Sequence, residues 1–341
     1  MPIPSERCAM FDIRKIFPRA KRTEKIVESR PPERSDAGQG VDDRVKKFLK
    51  YGVSYAETHP VYEPVGVLSQ LVDTTFLSQE ISDPQGEFFL DRNDVNWDDV
   101  IRRDKVPIPD TRNREDYFPE RHLVYWLSGY VDYYKTLAAV KSYGISGGRF
   151  FDFGGSTGRV FRHFAFQSDK WDVWSSDFKI SSVEWNMKYF PTSIKALLNN
   201  SNPSLPLPDN YFDLVTAFSV FTHINETETA WLLELRRILK IGGIAYLSIH
   251  DESTWCDQKD QLHDTDQLHD VVVRFRPDIA ELEEMPKGKT VVTFREDDPY
   301  NCIVFHSREH IENVWGRFFE ICEIRSSYHF YQGVVVCRRA Y

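Results

Sequence analysis

Residues Arg149–Arg159 read RFFDFGGSTGR, and the rest of the chain can be ordered around them. Apolar residues run into one acid, Asp152, and then into a turn holding Gly154, Gly155, Ser156, Thr157 and Gly158. Val160-Phe161-Arg162-His163-Phe164 follows at once, with its large apolar residues at helical spacing. A buried strand, a glycine turn and a helix start make a nucleotide-binding corner, because glycines let backbone N–H groups approach a ligand closely. A glycine-rich loop alone is a weak signal; the order of the downstream elements strengthens it.

After the corner, Trp171 to Ser176 predicts a strand ending at Asp177, Ile180 to Tyr189 a helix, and Ser193 to Leu198 a third strand ending at Asn199-Asn200. A proline-rich turn (Pro203, Pro206, Pro208) leads into an apolar strand, Phe212 to Phe218. The next helix, Glu226 to Lys240, carries Trp231, Leu232, Leu235, Ile238 and Leu239 on one stripe, with Asn225 as its expected N-cap and Glu228 at the third helical position. Gly242-Gly243 is expected to end that helix and open a strand, Ile244 to Ile249. Strict strand–helix alternation is the sequence form of a parallel α/β sheet with helices on both faces.

The C-terminal part leaves this rhythm. Residues 251–300 form a long polar excursion with a helix expected near Gln258 to Val272 and a strand at Thr290 to Arg295. Excursions of that length in an α/β domain are usually functional, so 251–306 reads as an insertion or lid. Ser307 then caps a helix running through Phe318, and two strands, Phe319 to Ser326 and Val334 to Arg338, suggest an antiparallel hairpin at the sheet edge.

Upstream, residues 1–40 are charged and proline-punctuated, a flexible arm. Met10, Ile13 and Phe17 share a helical face there amid basic residues, the pattern of a weak membrane-surface contact, although a solvated tail is the simpler reading. Residues 41–120 hold many prolines and scattered aromatics and read as an accessory N-terminal cap, a mainly helical or irregular extension. The principal domain spans 121–341, opening with a helix from His122 to Val140.

The chain has 341 residues and a net charge of −9, which argues against a dedicated nucleic-acid partner, since phosphate contacts need a basic face. Its five cysteines are scattered and lack CxxC spacing, which fits a reducing compartment and neither a disulfide framework nor a zinc site. No apolar run approaches the roughly 18 residues of a membrane span, and no signal-peptide pattern is visible, so a cytoplasmic location is the expectation.

Chemistry sharpens the corner. An acid about 20 residues beyond the last corner glycine suits a ribose-binding carboxylate, and Asp177 stands there. Asp152 occupies a position that is normally apolar in a dinucleotide site. An acid at that point, in the spacing Asp-x-Gly-x-x-x-Gly, points instead to a cofactor with a cationic amino-acid end and no pyrophosphate.

From about Tyr125 to the C-terminus the sequence resembles the class I S-adenosylmethionine-dependent methyltransferases. FDFGGSTGR resembles their glycine motif, with Ser156 at the usual central glycine; SSDF at 175–178 resembles the acidic end of their second strand. LPLPDNYFDLVTAFSVFTHINE and LRRILKIGGIAYLSIH resemble their fourth strand, its helix and the fifth strand. SVFTHI, SIH and FHSREHIENVWGRFFE resemble a bacterial subgroup associated with polysaccharide and glycan biosynthesis. The resemblance implies a Rossmann-like, doubly wound sheet of seven mostly parallel strands and S-adenosyl-L-methionine as cofactor. It implies that Gly154, Gly155, Ser156 and Gly158 border the methionine part, with Asp152 placing its amino group. Asp177 would bond the ribose, Phe178 would lie against the adenine, Asn199 or Asn200 would read its edge, and Phe218, Ser219 and Val220 would line the floor under the sulfonium.

A hydroxyl acceptor calls for a base. Three histidines fall at element ends on the expected active face: His223 first, then His250 and His306. His163, on the first helix after the corner, is expected to be structural, and nothing in the spacing supports a metal. The segment AFSV after the fourth strand lacks the Asn/Asp-Pro-Pro-aromatic motif of amino-group methylation, and no Pro-Cys nucleophile occurs. The acceptor is therefore expected to be a sugar or glycan hydroxyl, with another small molecule (O or N) as the alternative. A non-catalytic S-adenosylmethionine-binding interaction protein and a nicotinamide-dependent dehydrogenase are the competing classes.

Overall fold

The structure, a computed structural model, describes residues 97–109, 111–114, 117, 122–261, 265–294 and 301–341. The expected arm (1–40), and with it the amphipathic face at Met10, Ile13 and Phe17, lies outside the described residues, as does most of the expected cap.

Seven strands form one sheet: β1 (Gly148–Phe153), β2 (Trp171–Asp177), β3 (Lys195–Leu198), β4 (Phe212–Ala217), β5 (Leu239–Ile249), β8 (Glu320–His329) and β9 (Gln332–Arg338). Their spatial order is β3-β2-β1-β4-β5-β9-β8. The first five pair in parallel, while β9 runs antiparallel to both β5 and β8. This is the expected doubly wound Rossmann-like sheet with a hairpin at its edge. Strand order reverses beside β1, so the loops after β1 and β4 open a crevice at the carboxyl ends of the strands, where such sheets bind ligands.

Period-two alternation feeds two cores. Phe150, Val173, Leu214, Ile244 and Tyr246 point to one face, covered by α2 (His122–Lys141), α3 (Phe161–Phe166) and α4 (Ile180–Tyr189). Phe151, Phe153, Val215, Ala245 and Leu247 point to the other, covered by α5 (Glu228–Ile238) and by Ile311 and Trp315. A short helix, α1 (Trp97–Arg103), and a 3-10 turn (Thr111–Arg114) precede α2. Asp104, between them, accepts from Arg162 Nε at 2.6 Å and from Trp126 Nε1 at 2.8 Å, tying this segment to α3 and α2 by a fully buried pair.

Several local expectations change. Gly242-Gly243 does not stop the helix: α5 ends at Ile238, and β5 starts at Leu239 and runs through both glycines. Gly242 takes a φ of +84° within a register shift opposite Phe212 and Leu214, so the pair serves a bulge. Asn225 is not the cap; Thr227 holds that position without a side-chain bond, and Glu228 turns inward. The single helix expected at 258–272 is two, α6 (Glu252–Lys259), capped by Asp251, and α7 (Asp266–Phe275), followed by a short α8 (Pro277–Ala280). These helices pack on a two-stranded sheet, β6 (Lys289–Thr293) with β7 (Cys302–His306), around Trp255, Val272, Val292 and Phe305. The strand β7 escaped the sequence reading. Ser307 caps as expected, accepting from His310 N at 3.1 Å, but α9 (Arg308–Asn313) is short and yields to a 3-10 turn at Trp315–Arg317.

Candidate functional site

Asp152 is the penultimate residue of β1, and its carboxyl is hidden at 3% exposure. Oδ1 accepts from the Thr216 hydroxyl at 2.6 Å. Burial pushes the group up to about 7, with Thr216 and the nearby Arg159 pulling only partly the other way. A carboxyl in that state awaits a cation.

The turn that follows is compact for steric reasons. Gly154 has φ +73°, and a Cβ there would come within 2.5 Å of Val220 Cγ2. Gly158, at φ +90°, would press a side chain into Phe190 and Phe161. Ser156 also sits in the left-handed region, at φ 45°, which explains why glycine is the easier residue at this position. Its carbonyl accepts from Asn186 Nδ2 at 2.7 Å, and its N–H donates to Asp177 Oδ2 at 2.9 Å.

Asp177 ends β2, buried at 4%, and its other oxygen accepts from Lys179 N at 2.8 Å. Burial raises its pKa against these backbone bonds. Phe178, next to it, is 43% exposed, an aromatic face left open to solvent at the crevice. Asn199 and Asn200 follow β3, with Asn199 N bonded to Asp177 O at 3.1 Å. The structure thus brings Asp152, the glycine turn, Asp177, Phe178 and Asn199 into one arc.

At the end of β4 stand Phe218, Ser219 and Val220. Ser219 is left-handed at φ 55° and is locked by polar bonds: its N–H donates to Ser248 Oγ at 2.7 Å, and its hydroxyl oxygen accepts from Tyr117 (2.8 Å) and the Gln332 amide (3.0 Å). Arg159 closes the arc, with its guanidinium carbon 5.4–5.8 Å from the Tyr117, Phe218 and Phe330 rings and Nη1 bonded to Asp132 at 2.5 Å. Three of the six left-handed non-glycine residues among the described residues, Ser156, Ser219 and Phe330, lie here, where strain can serve a functional site.

The predicted histidines separate. His223 is half-buried, with Nδ1 2.8 Å from Cys302 O, and burial lowers its pKa. His250 is buried against Phe305 and Tyr331, with burial holding it well below the ordinary range. His306 is fully buried, and its Nε2 stands 3.1 Å from Glu228 Oε1 without hydrogen-bond alignment. His163 is buried and near Trp126 O at 2.9 Å, a packing role. Glu228, His306 and His310 present donor atoms within 4.8 Å of one another. Lys289 and Trp315 already bond that carboxylate, at 2.8 and 2.6 Å, so Lys289 supplies the charge a metal would bring.

Sequence reasoning missed Asn186, Tyr117 and Gln332, and a buried cluster of Asp132, Arg159 and His329. One signal was visible: Asp132 is the single acid in the aromatic run Tyr130-Val131-Asp132-Tyr133-Tyr134.

The residues fit a methionine-derived nucleoside cofactor. Among the described residues, Ser156, Ser175 and Ser176 have buried hydroxyls without partners around the glycine turn, and Asn199 Oδ1 is likewise unpartnered at the opposite end of the arc. These are the polar atoms that an amino-acid end and an adenine edge would satisfy.

Residues 151–247 match the family described as the methyltransferase domain. No curated protein matches the chain. Solved structures with a similar fold include an S-adenosylmethionine-dependent methyltransferase of Methanosarcina mazei (17% identity, 59% of this chain and 96% of that one, TM-score 0.41). Another is an S-adenosylmethionine-dependent methyltransferase homologue of Methanococcus maripaludis (19%, 62% and 88%, TM-score 0.38). A third is the 1,6-didemethyltoxoflavin-N1-methyltransferase of Burkholderia thailandensis (9%, 61% and 77%, TM-score 0.41). At such identities and TM-scores they bear on neither acceptor nor partner. The matched segment runs from β1 to β5 and holds the glycine turn, Asp177 and the residues after β4.

Proposed function

We propose that this chain is an S-adenosylmethionine-dependent methyltransferase that modifies a hydroxyl of a sugar or glycan. The observation that carries the reading is the composition of the crevice beyond β4. Tyr117, Phe218 and Phe330 gather around the Arg159 guanidinium, beside the polar groups of Ser219 and Gln332. Sugars are held by that combination, C–H faces on rings and hydroxyls on amide and hydroxyl groups.

S-adenosylmethionine supplies an electrophilic sulfonium methyl for in-line displacement. The chain's own residues bind, orient and exclude water. The turn at Gly154, Gly155, Ser156 and Gly158 lets the backbone border the amino-acid end, and Asp152 would pair with its ammonium. Asp177 keeps lone pairs for the ribose hydroxyls after accepting from Ser156 and Lys179. Phe178 offers its open face to the adenine, and Asn199 its unpartnered carbonyl. Phe218, Ser219 and Val220 form the floor where the methyl is delivered.

Calorimetric titration of S-adenosylhomocysteine into wild type and Asp177→Ala tests the cofactor half. The variant is expected to bind at least about tenfold more weakly, about 1.4 kcal/mol; binding indifferent to Asp177 would remove that residue from the site. Release of S-adenosylhomocysteine in the presence of glycans and nucleotide sugars tests the acceptor half. Turnover with amines alone would overturn the sugar assignment.

A further inference from the structure

Arg159 follows the glycine turn at once and Arg162 stands three residues on, yet the two meet their aspartates differently. Arg162 closes its planar fork on Asp104: Nε donates to Oδ2 at 2.6 Å and Nη2 to Oδ1 at 3.0 Å, with the side chain wholly buried. Arg159 reaches Asp132 Oδ2 through Nη1 alone, at 2.5 Å, and the same nitrogen donates to Ser128 Oγ at 3.3 Å. The other Asp132 oxygen is occupied by His329 Nδ1 at 2.9 Å, so it cannot complete a fork. Arginine carries five N–H donors, and Nη1 accounts for only two. The Nε and Nη2 of Arg159 bond to nothing among the described residues.

That idle edge is the one that grips a carboxylate with two parallel N–H bonds. It is also open to a ligand. The Arg159 side chain keeps 9% exposure where that of Arg162 has none, and neither Nε nor Nη2 of Arg159 is among the sealed, unpartnered atoms of the interior. Tyr117, Phe218 and Phe330 wall the guanidinium, and all three are half-buried rather than sealed. Phe218 leads into Ser219 and Val220 at the carboxyl end of β4, and Val220 abuts Gly154 of the glycine turn. Asp152, at the end of β1, feels the Arg159 charge. An arginine that only pinned α2 to the turn would be as well served by the closed fork that Arg162 shows.

We propose that the Nε–Nη2 edge of Arg159 binds the carboxylate of the cofactor's amino-acid end, while Asp152 takes its ammonium. The proposal rests on the S-adenosylmethionine reading of this site and adds to it a residue and a selectivity. An α-amino acid carries both charges on one carbon, so their partners must be neighbours of opposite sign. Asp152 and Arg159 are such a pair, standing before and after the glycines of the turn. A pocket with one anion and one cation selects the zwitterion over a molecule that carries the same nucleoside and ammonium without a carboxylate.

Calorimetric titration of the full chain with S-adenosylhomocysteine and with its decarboxylated form, S-adenosyl-3-thiopropylamine, tests this without an acceptor. The two ligands share the nucleoside, the thioether and the ammonium, and differ only in the carboxylate. Wild type is expected to bind S-adenosylhomocysteine at least about tenfold more tightly. Arg159→Gln should weaken S-adenosylhomocysteine by about tenfold or more and the decarboxylated ligand by less than about threefold, so that the preference collapses. Glutamine leaves Asp132 without its cation, so Asp132→Asn/Arg159→Gln replaces the single variant should that fail to fold. A role confined to packing would weaken both ligands alike and leave their ratio unchanged. Equal binding of the two ligands by wild type, or a preference that survives in a folded Arg159 variant, would overturn the proposal while leaving the cofactor site intact. Failure of both ligands to bind wild type would instead overturn the site reading itself, and this proposal with it.

Discussion

Asp152 at the end of β1 and Glu228 at the start of α5 are equally hidden, at 3% and 2% exposure, yet their carboxyls are driven in opposite directions. Asp152 accepts one hydroxyl bond, and burial pushes it up to about 7. Burial would push Glu228 up as well, but His306, His310 and Lys289 overcome it and hold the carboxyl far below the ordinary range. Trp315 adds a hydrogen bond at 2.6 Å. The difference separates a finished network from an unfinished one. Glu228 joins α5 to β6, β7 and α9 through partners the chain already owns, whereas Asp152 feels Arg159 only partly, and a ligand can bring a cation closer.

Glu228→Gln is where the comparison should show its largest effect. Removing one member of a buried ion pair strands the others, and a loss of about 3–5 kcal/mol is expected. For a domain of this size that corresponds to a Tm drop of about 10 °C. The sign with pH is fixed: a depressed folded pKa stabilises above the unfolded value of about 4.3 and is lost as pH falls below it. The gap between wild type and variant in urea unfolding should therefore be full at pH 7 and shrink towards pH 3. A gap under about 1 kcal/mol at pH 7 would mean that the network is not what holds the insertion to α5.

Asp152→Asn should do the reverse to stability. A carboxyl raised from about 3.9 unfolded to about 7 folded favours the folded state below pH 4, and that contribution disappears as pH rises through 7. At pH 8 the ligand-free variant is thus expected to be more stable than wild type, on the order of 1–3 kcal/mol. Cofactor binding moves oppositely. Wild-type affinity for S-adenosylmethionine should climb between about pH 5.5 and 7.5, by up to tenfold per unit below 7, as Asp152 ionises against the ammonium. The variant should bind more weakly and without that slope. Calorimetry across pH reads both, and a sloping profile in Asp152→Asn would assign the proton to another group.

The comparison also shows what one sequence can disclose. The arc at β1, β2 and β4 was legible because local periodicity and turn chemistry define it: Asp152, Gly154, Asp177 and Asn199 each sit at a strand end that alternation predicts. Gly242-Gly243 misled because a glycine pair after an amphipathic run serves a helix stop or a bulge equally well, and only pairing with Phe212 and Leu214 decides. The Cys302–His306 strand has only four apolar residues in a row, and its partner, Lys289–Thr293, lies on the far side of residues 294–301. Glu228 looked like a cap partner, since nothing nearby announces Lys289, 61 residues on, or Trp315, 87 residues on. Asp132 and His329 are farther apart still, and their pairing follows from the hairpin folding back over the crevice.

Ser156 gives the smallest and most local test, because it separates backbone from side chain at the cofactor turn. Ser156→Gly removes a left-handed residue, worth about 1–2 kcal/mol of strain. It also loosens the unfolded chain, an opposing term of about 0.5–1 kcal/mol. The two nearly offset, and a stability change within about 1 kcal/mol is expected. The Ser156 N–H that donates to Asp177 and the carbonyl held by Asn186 both survive the substitution. Affinity for S-adenosylhomocysteine should therefore stay within about threefold of wild type if the backbone shapes the turn. A loss of tenfold or more would show that the unpartnered Ser156 hydroxyl bonds the cofactor directly. The turn would then resemble Asp152, a polar group left incomplete by the chain and completed by the ligand.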